Sequence, residues 1–90
     1  MQPDIRVYGL EHCGDTRRTR RHLDALALPY TYINLDKDDD ADRRVREWNA
    51  GLRLTPTVVI CRNGCVVRLA EPGNDALDAA IANAGLESIA

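Results

Sequence analysis

Apolar residues come along this chain in short clusters, and their spacing switches between about two and about three and a half. Ile5-Arg6-Val7-Tyr8-Gly9 is a short β-favouring run closed by glycine, and it predicts a first strand. From Cys13 to Thr16 onward the period lengthens. Leu23, Leu26 and Ala27 fall at helical spacing, and the stretch stops near Pro29. Tyr30 to Leu35 is rich in aromatic and β-branched residues and predicts a second strand. Asp36 to Asp40 is an acidic turn, with Asp39 or Asp40 as cap of a second helix that runs through Val45 and Trp48 to a stop at Gly51. After Thr55-Pro56 a nearly continuous apolar strand covers Thr57 to Cys61. Arg62-Asn63-Gly64 is a hairpin turn, because Asn-Gly supplies the positive φ angles such turns need. Cys65 to Leu69 is the return strand. Glu71 to Asp75 is a loop, with Asn74 or Asp75 capping a last helix through Leu77, Ala80, Ile81 and Ala84.

The order β-α-β-α-β-β-α constrains the architecture. A βαβ first half implies a parallel strand pair, and a terminal hairpin must be antiparallel. One α/β domain over residues 1–90, a four-stranded mixed sheet with helices on both faces, fits both. Pro56 has no N–H to donate to a ladder, so it belongs at the start of its strand. A cis Thr55–Pro56 bond there would leave the Thr55 backbone free to pair with an extended ligand.

Composition narrows the function classes. Ninety residues, 44% apolar and 29% charged, suit one small globular core. A net charge of −2 argues against general nucleic-acid binding. Met1 to Gly9 has neither a basic region nor a long apolar core, and no run approaches the ~20 apolar residues of a membrane span. The expectation is a cytoplasmic protein, monomeric, with no membrane or nucleic-acid partner. In a reducing compartment three cysteines are free, catalytic or metal-binding thiols, not a disulfide framework. No four-ligand spacing suggests zinc.

The chemistry concentrates at Cys13-Gly14-Asp15-Thr16. A cysteine at the mouth of a helix meets backbone N–H groups and the positive end of the helix dipole, which favour the reactive thiolate. One turn on, the Thr16 hydroxyl is placed to donate to sulfur, although threonine also suits a helix start for its own sake. His12, if protonated, favours the thiolate; it reads equally as a surface residue. Arg17, Arg18, Arg20 and Arg21 crowd the first two turns, where positive charge opposes the dipole. They read as recognition of an anionic thiol or a partner protein, or as a solvated face. Cys61 and Cys65 flank the hairpin turn, where they face each other or serve as a small buried side chain and an incidental thiol. Trp48 is a core or half-core residue.

Val7-Tyr8, Cys13-Gly14-Asp15-Thr16, Thr55-Pro56 and Pro72-Gly73-Asn74-Asp75, in this order and spacing, resemble the motifs of glutaredoxins. The nearest subgroup by pattern is the short bacterial mycoredoxin-type proteins, on His12-Cys13-Gly14-Asp15-Thr16-Arg17-Arg18, Asn49-Ala50-Gly51 and Thr55-Pro56. The Val58 to Gly64 stretch is also similar to the hairpin of thioredoxins. The resemblance implies a thioredoxin-like fold with Cys13 as nucleophile, beside which Thr16 and His12 are the catalytic candidates by their position alone. It implies a low-molecular-weight thiol, glutathione or mycothiol, lying along Thr55, Pro56, Gly73, Asn74 and Asp75, with Arg18 as an anion contact.

Two positions depart from the family pattern. Thr16 stands where a second active-site cysteine would be, and Leu10 where many glutaredoxins carry lysine. What remains is a monothiol route, in which Cys13 reduces mixed disulfides between protein substrates and the small thiol. Two other functions fit the same residues. One is a non-catalytic binding module. The other is an iron–sulfur cluster carrier, a dimer holding the cluster with two Cys13 thiolates and two small thiols. Cys13 to Thr19 also resembles the cysteine segment of arsenate reductases, but the chain is short for that family.

Overall fold

The computed structural model describes residues 4–85. Alternation in the strands decides how the layers form. In β1 (Asp4–Gly9), Ile5 and Val7 point to one face and Tyr8 to the other, and all three are buried. A strand covered on both sides belongs in the middle of a sheet, and β1 lies between β2 (Thr31–Asn34) and β3 (Thr57–Arg62) in the order β2-β1-β3-β4. β1 and β2 are parallel. β3 runs antiparallel to β1, and β4 (Cys65–Ala70) antiparallel to β3.

Helices cover both faces. Helix α1 (Gly14–Ala25) and α3 (Asn74–Asn83) pack Leu23, Leu77, Ala80 and Ile81 against Ile5, Val7, Val58 and Ile60. On the other face α2 (Asp39–Trp48) lays Ala41 and Val45 against Tyr8 and Leu35. Trp48 is half-buried, edge-on to Tyr8 at 5.4 Å, with the Arg68 guanidinium over its outer face. His22 of α1 meets Asp78 of α3 at 2.6 Å, which couples the two helices on one face.

The predicted architecture holds, and the differences are local. The second helix is capped by Asp38, one or two residues earlier than the acidic run suggested, its carboxylate accepting the Ala41 N–H. Asn74 and Asp75 do not cap the last helix. Gly73 takes the extended cap position and Asn74 is already helical. Helix α1 ends at Ala25, followed by Ala27 in the left-handed region, four residues short of Pro29. Asn63 and Gly64 both take positive φ and form a two-residue turn. Register then corrects the hairpin reading. Arg62 pairs with Cys65 and Cys61 with Val66, so the two cysteines project from opposite faces of the sheet and do not meet.

Among the described residues no helix is long and apolar enough to cross a membrane. Among them, too, no three His, Cys, Asp or Glu side chains cluster as metal ligands do.

Candidate thiol site

The site is assembled where three chain segments meet at one end of the sheet. β1 delivers the chain through Gly9 to Cys13, which takes an extended conformation and becomes the N-cap of α1. β3 starts at the same end, since Tyr8 pairs with Thr57, and this brings the Thr55–Pro56 segment alongside. The Thr55–Pro56 peptide is cis and both residues are buried. The third segment is the loop before α3. Arg18 donates from Nη2 to the Pro72 carbonyl at 2.9 Å, which ties α1 to Pro72-Gly73-Asn74.

Gly9 is the hinge of this arrangement for a steric reason. A Cβ there would lie 2.5 Å from Thr16 Cγ2 and 2.6 Å from Thr16 Oγ1. The Thr16 side chain is wholly buried and sits directly over the end of β1, where its Oγ1 accepts the Leu10 N–H at 3.4 Å. With that oxygen accepting from the backbone, its own proton is free to point at sulfur.

Cys13 is partly exposed and lies between hydrogen-bonding groups. Its Sγ–H donates to the Thr55 carbonyl at 3.6 Å, and the Thr55 hydroxyl donates to Sγ at 3.4 Å. Burial is the largest single influence on the thiol and pushes it up. Hydrogen bonds from the Thr16 and Thr55 hydroxyls, with the N–H groups of Thr16 and Asp15, together outweigh it and hold the thiol below its ordinary range. The neutral thiol forms no full capping bond with the first turn of α1, so these N–H groups matter chiefly once sulfur carries charge. The arrangement favours the ionised form of a thiol that stays partly open to solvent.

The structure sorts the sequence candidates. Cys13, Thr16 and Thr55 come together beside Pro56, and Arg18 holds Pro72, the residue before Gly73, Asn74 and Asp75. Buried polar atoms remain without partners here: Arg18 Nε and Asn74 Oδ1. His12 is exposed and makes no hydrogen bond or ion pair among the described residues. Arg18 is committed to Asp15 at 2.9 Å as well as to Pro72. Arg20 turns toward the sheet edge, bonded to Tyr30 Oη at 3.3 Å and stacked on Tyr32 at 3.9 Å. Cys61 lies opposite Asp4, at the far end of β1 from Cys13.

Two contributors were not foreseen. The Thr55 hydroxyl acts on sulfur directly, where the sequence had offered Thr55 only as a ligand contact. Arg53 joins Asp36 at 2.8 Å and Asp42 at 2.7 Å, which fixes the approach to Thr55–Pro56 against the start of α2. These bonds raise the Arg53 guanidinium, Asp36 first. No sequence spacing signals a contact between residues so far apart.

Comparison with known proteins agrees with this geometry. Among curated protein sequences, none matches this chain. The fold is shared with the Escherichia coli glutaredoxin-like protein NrdH-redoxin (TM-score 0.69, 21% identity, 84% of this chain and 92% of that one). It is shared with Fasciola hepatica thioredoxin (TM-score 0.69, 18% identity, 91% and 80%). A third is chloroplastic thioredoxin z (TM-score 0.72, 17% identity, 93% and 79%). The glutaredoxin family model matches residues 5–66, a span that includes Cys13, Thr16, Thr55 and Pro56, and the chain belongs to the glutaredoxin family of thiol–disulfide oxidoreductases.

Proposed function

We propose that the protein is a monothiol oxidoreductase in which Cys13 reduces mixed disulfides between proteins and a low-molecular-weight thiol, glutathione or mycothiol. The observation that carries this reading is the Cys13 thiol itself, held below its ordinary range by Thr16 and Thr55 while remaining open to solvent. Thr16 removes any local resolving thiol. Cys61 lies several residue steps along the sheet, and Cys65 is still further along the hairpin. A second external thiol is then needed to complete turnover.

The steps balance as follows. The Cys13 thiolate attacks the small-thiol sulfur of the mixed disulfide. That disulfide bond breaks, and the client leaves as a thiolate that takes a proton from solvent. Cys13 is left in a disulfide with the small thiol. A second small-thiol thiolate attacks the small-thiol sulfur, forms the symmetrical small disulfide and releases the Cys13 thiolate. Thr55, with Thr16 and the first-turn N–H groups, stabilises sulfur charge at the start and end of each cycle. Gly73, Asn74 and Asp75, at the N-terminus of α3, and Arg18 offer N–H and guanidinium donors to the carboxylates of glutathione or to the hydroxyl and amide oxygens of mycothiol.

The test is turnover of a protein mixed disulfide with glutathione and with mycothiol as reductant. Turnover with one of them, lost in Cys13→Ser, is the expected result. Turnover with neither overturns the reading.

A further inference from the structure

The four arginines after Cys13 divide by employment. Arg18 is held by Asp15 and the Pro72 carbonyl, and Arg20 by Tyr30 and Tyr32, with Glu11 at 4.0 Å. Arg17 and Arg21 are exposed and make no ion pair or hydrogen bond among the described residues. They line a surface cleft of about 220 Å³ together with Arg20 and Asp24, and Asp24 pairs with neither. Spacing of four and eight residues from Cys13 puts both on the flank of the helix that also carries the nucleophile. Arg17 lies in the first turn, where its charge opposes the helix dipole, so helix stability does not account for it.

We propose that this flank of α1 is a docking surface for protein clients that are acidic beside the cysteine they release from the mixed disulfide. The proposal rests on the monothiol reading above. The helix rises about 1.5 Å per residue, which sets Arg17 about 6 Å and Arg21 about 12 Å from Cys13 along its axis. An extended client advances about 3.3 Å per residue. Its carboxylates therefore meet the two guanidinium groups at about two and four residues from its own cysteine. Carboxylate is the matching chemistry, since a planar guanidinium donates two parallel N–H bonds to it. A client bound this way lies along α1, clear of the Thr55 and Gly73 segments that the small thiol needs.

The experiment uses the reduced full-length chain and three peptides, each a mixed disulfide with uncharged 2-mercaptoethanol. The peptides carry Asp, Asn or Lys at two and four residues on both sides of the cysteine. The readout is the single-turnover rate of peptide thiol release. At about 10 mM salt the Asp peptide should react roughly tenfold faster than the Asn peptide, and the Lys peptide slowest. At about 150 mM salt the advantage should shrink severalfold. In the double variant Arg17→Gln/Arg21→Gln the Asp-to-Asn ratio should fall to within about twofold of one. The ratio is its own control for any change in Cys13 reactivity. Equal rates for all three peptides, or an Asp preference that survives in the double variant, overturn the docking surface and leave the monothiol reading standing. No reaction with any peptide overturns the docking surface as well, and the monothiol reading is decided separately by turnover with glutathione and with mycothiol.

Discussion

The two ends of the sheet both carry cysteine, and they treat it in opposite ways. At the end where β1 finishes, Cys13 meets a helix N-terminus, two threonine hydroxyls and a carbonyl within the space of one turn. At the other end Cys61 and Cys65 sit in a hairpin, on opposite faces, with no hydrogen bond to either sulfur among the described residues. A groove of about 830 Å³ lies beside Cys65, between β4 and α3, and its lining is mostly apolar: Ile60, Val67, Leu69, Ala76, Ala80. The groove at the hairpin end is nearly four times the volume of the cleft beside α1, yet among the described residues no hydrogen bond reaches the Cys65 sulfur. Reactivity follows from donors aimed at sulfur, not from the size of the nearest hollow.

The sharpest way to break this contrast is to exchange the thiols for hydroxyls. Cys13→Ser should lower mixed-disulfide turnover by three or more orders of magnitude. The double variant Cys61→Ser/Cys65→Ser should stay within about twofold of the parent, because neither sulfur can reach Cys13 without dismantling the sheet. Steady-state kinetics on the mixed disulfide reads both. A large loss in the hairpin variant, with the fold intact by circular dichroism, would show that the distant thiols do resolve Cys13.

Gly9→Ala tests the architecture beneath the site. The added methyl group would collide with Thr16, which is fully buried and has nowhere to go. Overpacking of this kind costs about 1–3 kcal/mol, visible in urea unfolding. It should also tilt the Thr16 hydroxyl away from sulfur, so Cys13 alkylation slows in the same variant. Gly73→Ala, where a Cβ meets nothing within 4 Å, is the matched control and should change stability by less than about 0.5 kcal/mol.

Much of this was legible in the chain itself. Ile5 and Val7, the Asn63-Gly64 turn and the apolar run from Thr57 gave the strands, because burial and turn geometry are local demands that residue types answer directly. Cys13 and Thr16 were legible for the same reason, as a helix start written in four residues. What escaped was whatever depends on register or on long reach. Cys61 and Cys65 look opposed when the turn is counted as three residues. The two-residue turn at Asn63-Gly64 shifts the pairing by one, and a shift of one reverses a face. Arg53 bonds across 17 residues to Asp36, and the Thr55 hydroxyl reaches a sulfur 42 residues away. No periodicity carries those distances. Helix caps slipped by a residue because Asp38, Asp39 and Asp40 are chemically alike and only the backbone chooses among them.

Thr55→Val sharpens the comparison at the level of single hydrogen bonds. The variant keeps side-chain size and removes one donor to the thiolate. Loss of a donor disfavours the ionised form, so the thiol rises and less thiolate is present at neutral pH. Iodoacetamide alkylation at pH 7 should slow by about three- to tenfold, and the pH–rate curve should move to higher pH. In the parent that curve should lie to the acid side of an ordinary thiol, in line with the lowered Cys13 thiol. Linkage runs the same way. With the folded-state thiol depressed, ionised Cys13 contributes stability that grows as pH rises through its own midpoint toward that of the unfolded thiol, and is lost as pH falls. Cys13→Ser should lack that rise. A Thr55→Val profile that overlays the parent would remove Thr55 from the account.

The smallest effect belongs to the hairpin end, where polar contacts hold the fold together and do not touch the chemistry. Arg62 donates from Nη1 to the carbonyls of Ala84 and Gly85 at 2.8 and 2.6 Å, just past the end of α3. A cation on terminal carbonyls satisfies acceptors that the helix leaves open and complements the negative end of its dipole. Those carbonyls stand near solvent, and water replaces much of the lost bond, so Arg62→Ala should cost only about 1 kcal/mol. The alkylation profile of Cys13 should not move, because the lost contacts lie at the other end of α3 from Gly73. A shift in that profile would mean that α3 transmits strain along its length to the loop held by Arg18, and the two ends of the sheet would then have to be treated as one coupled unit.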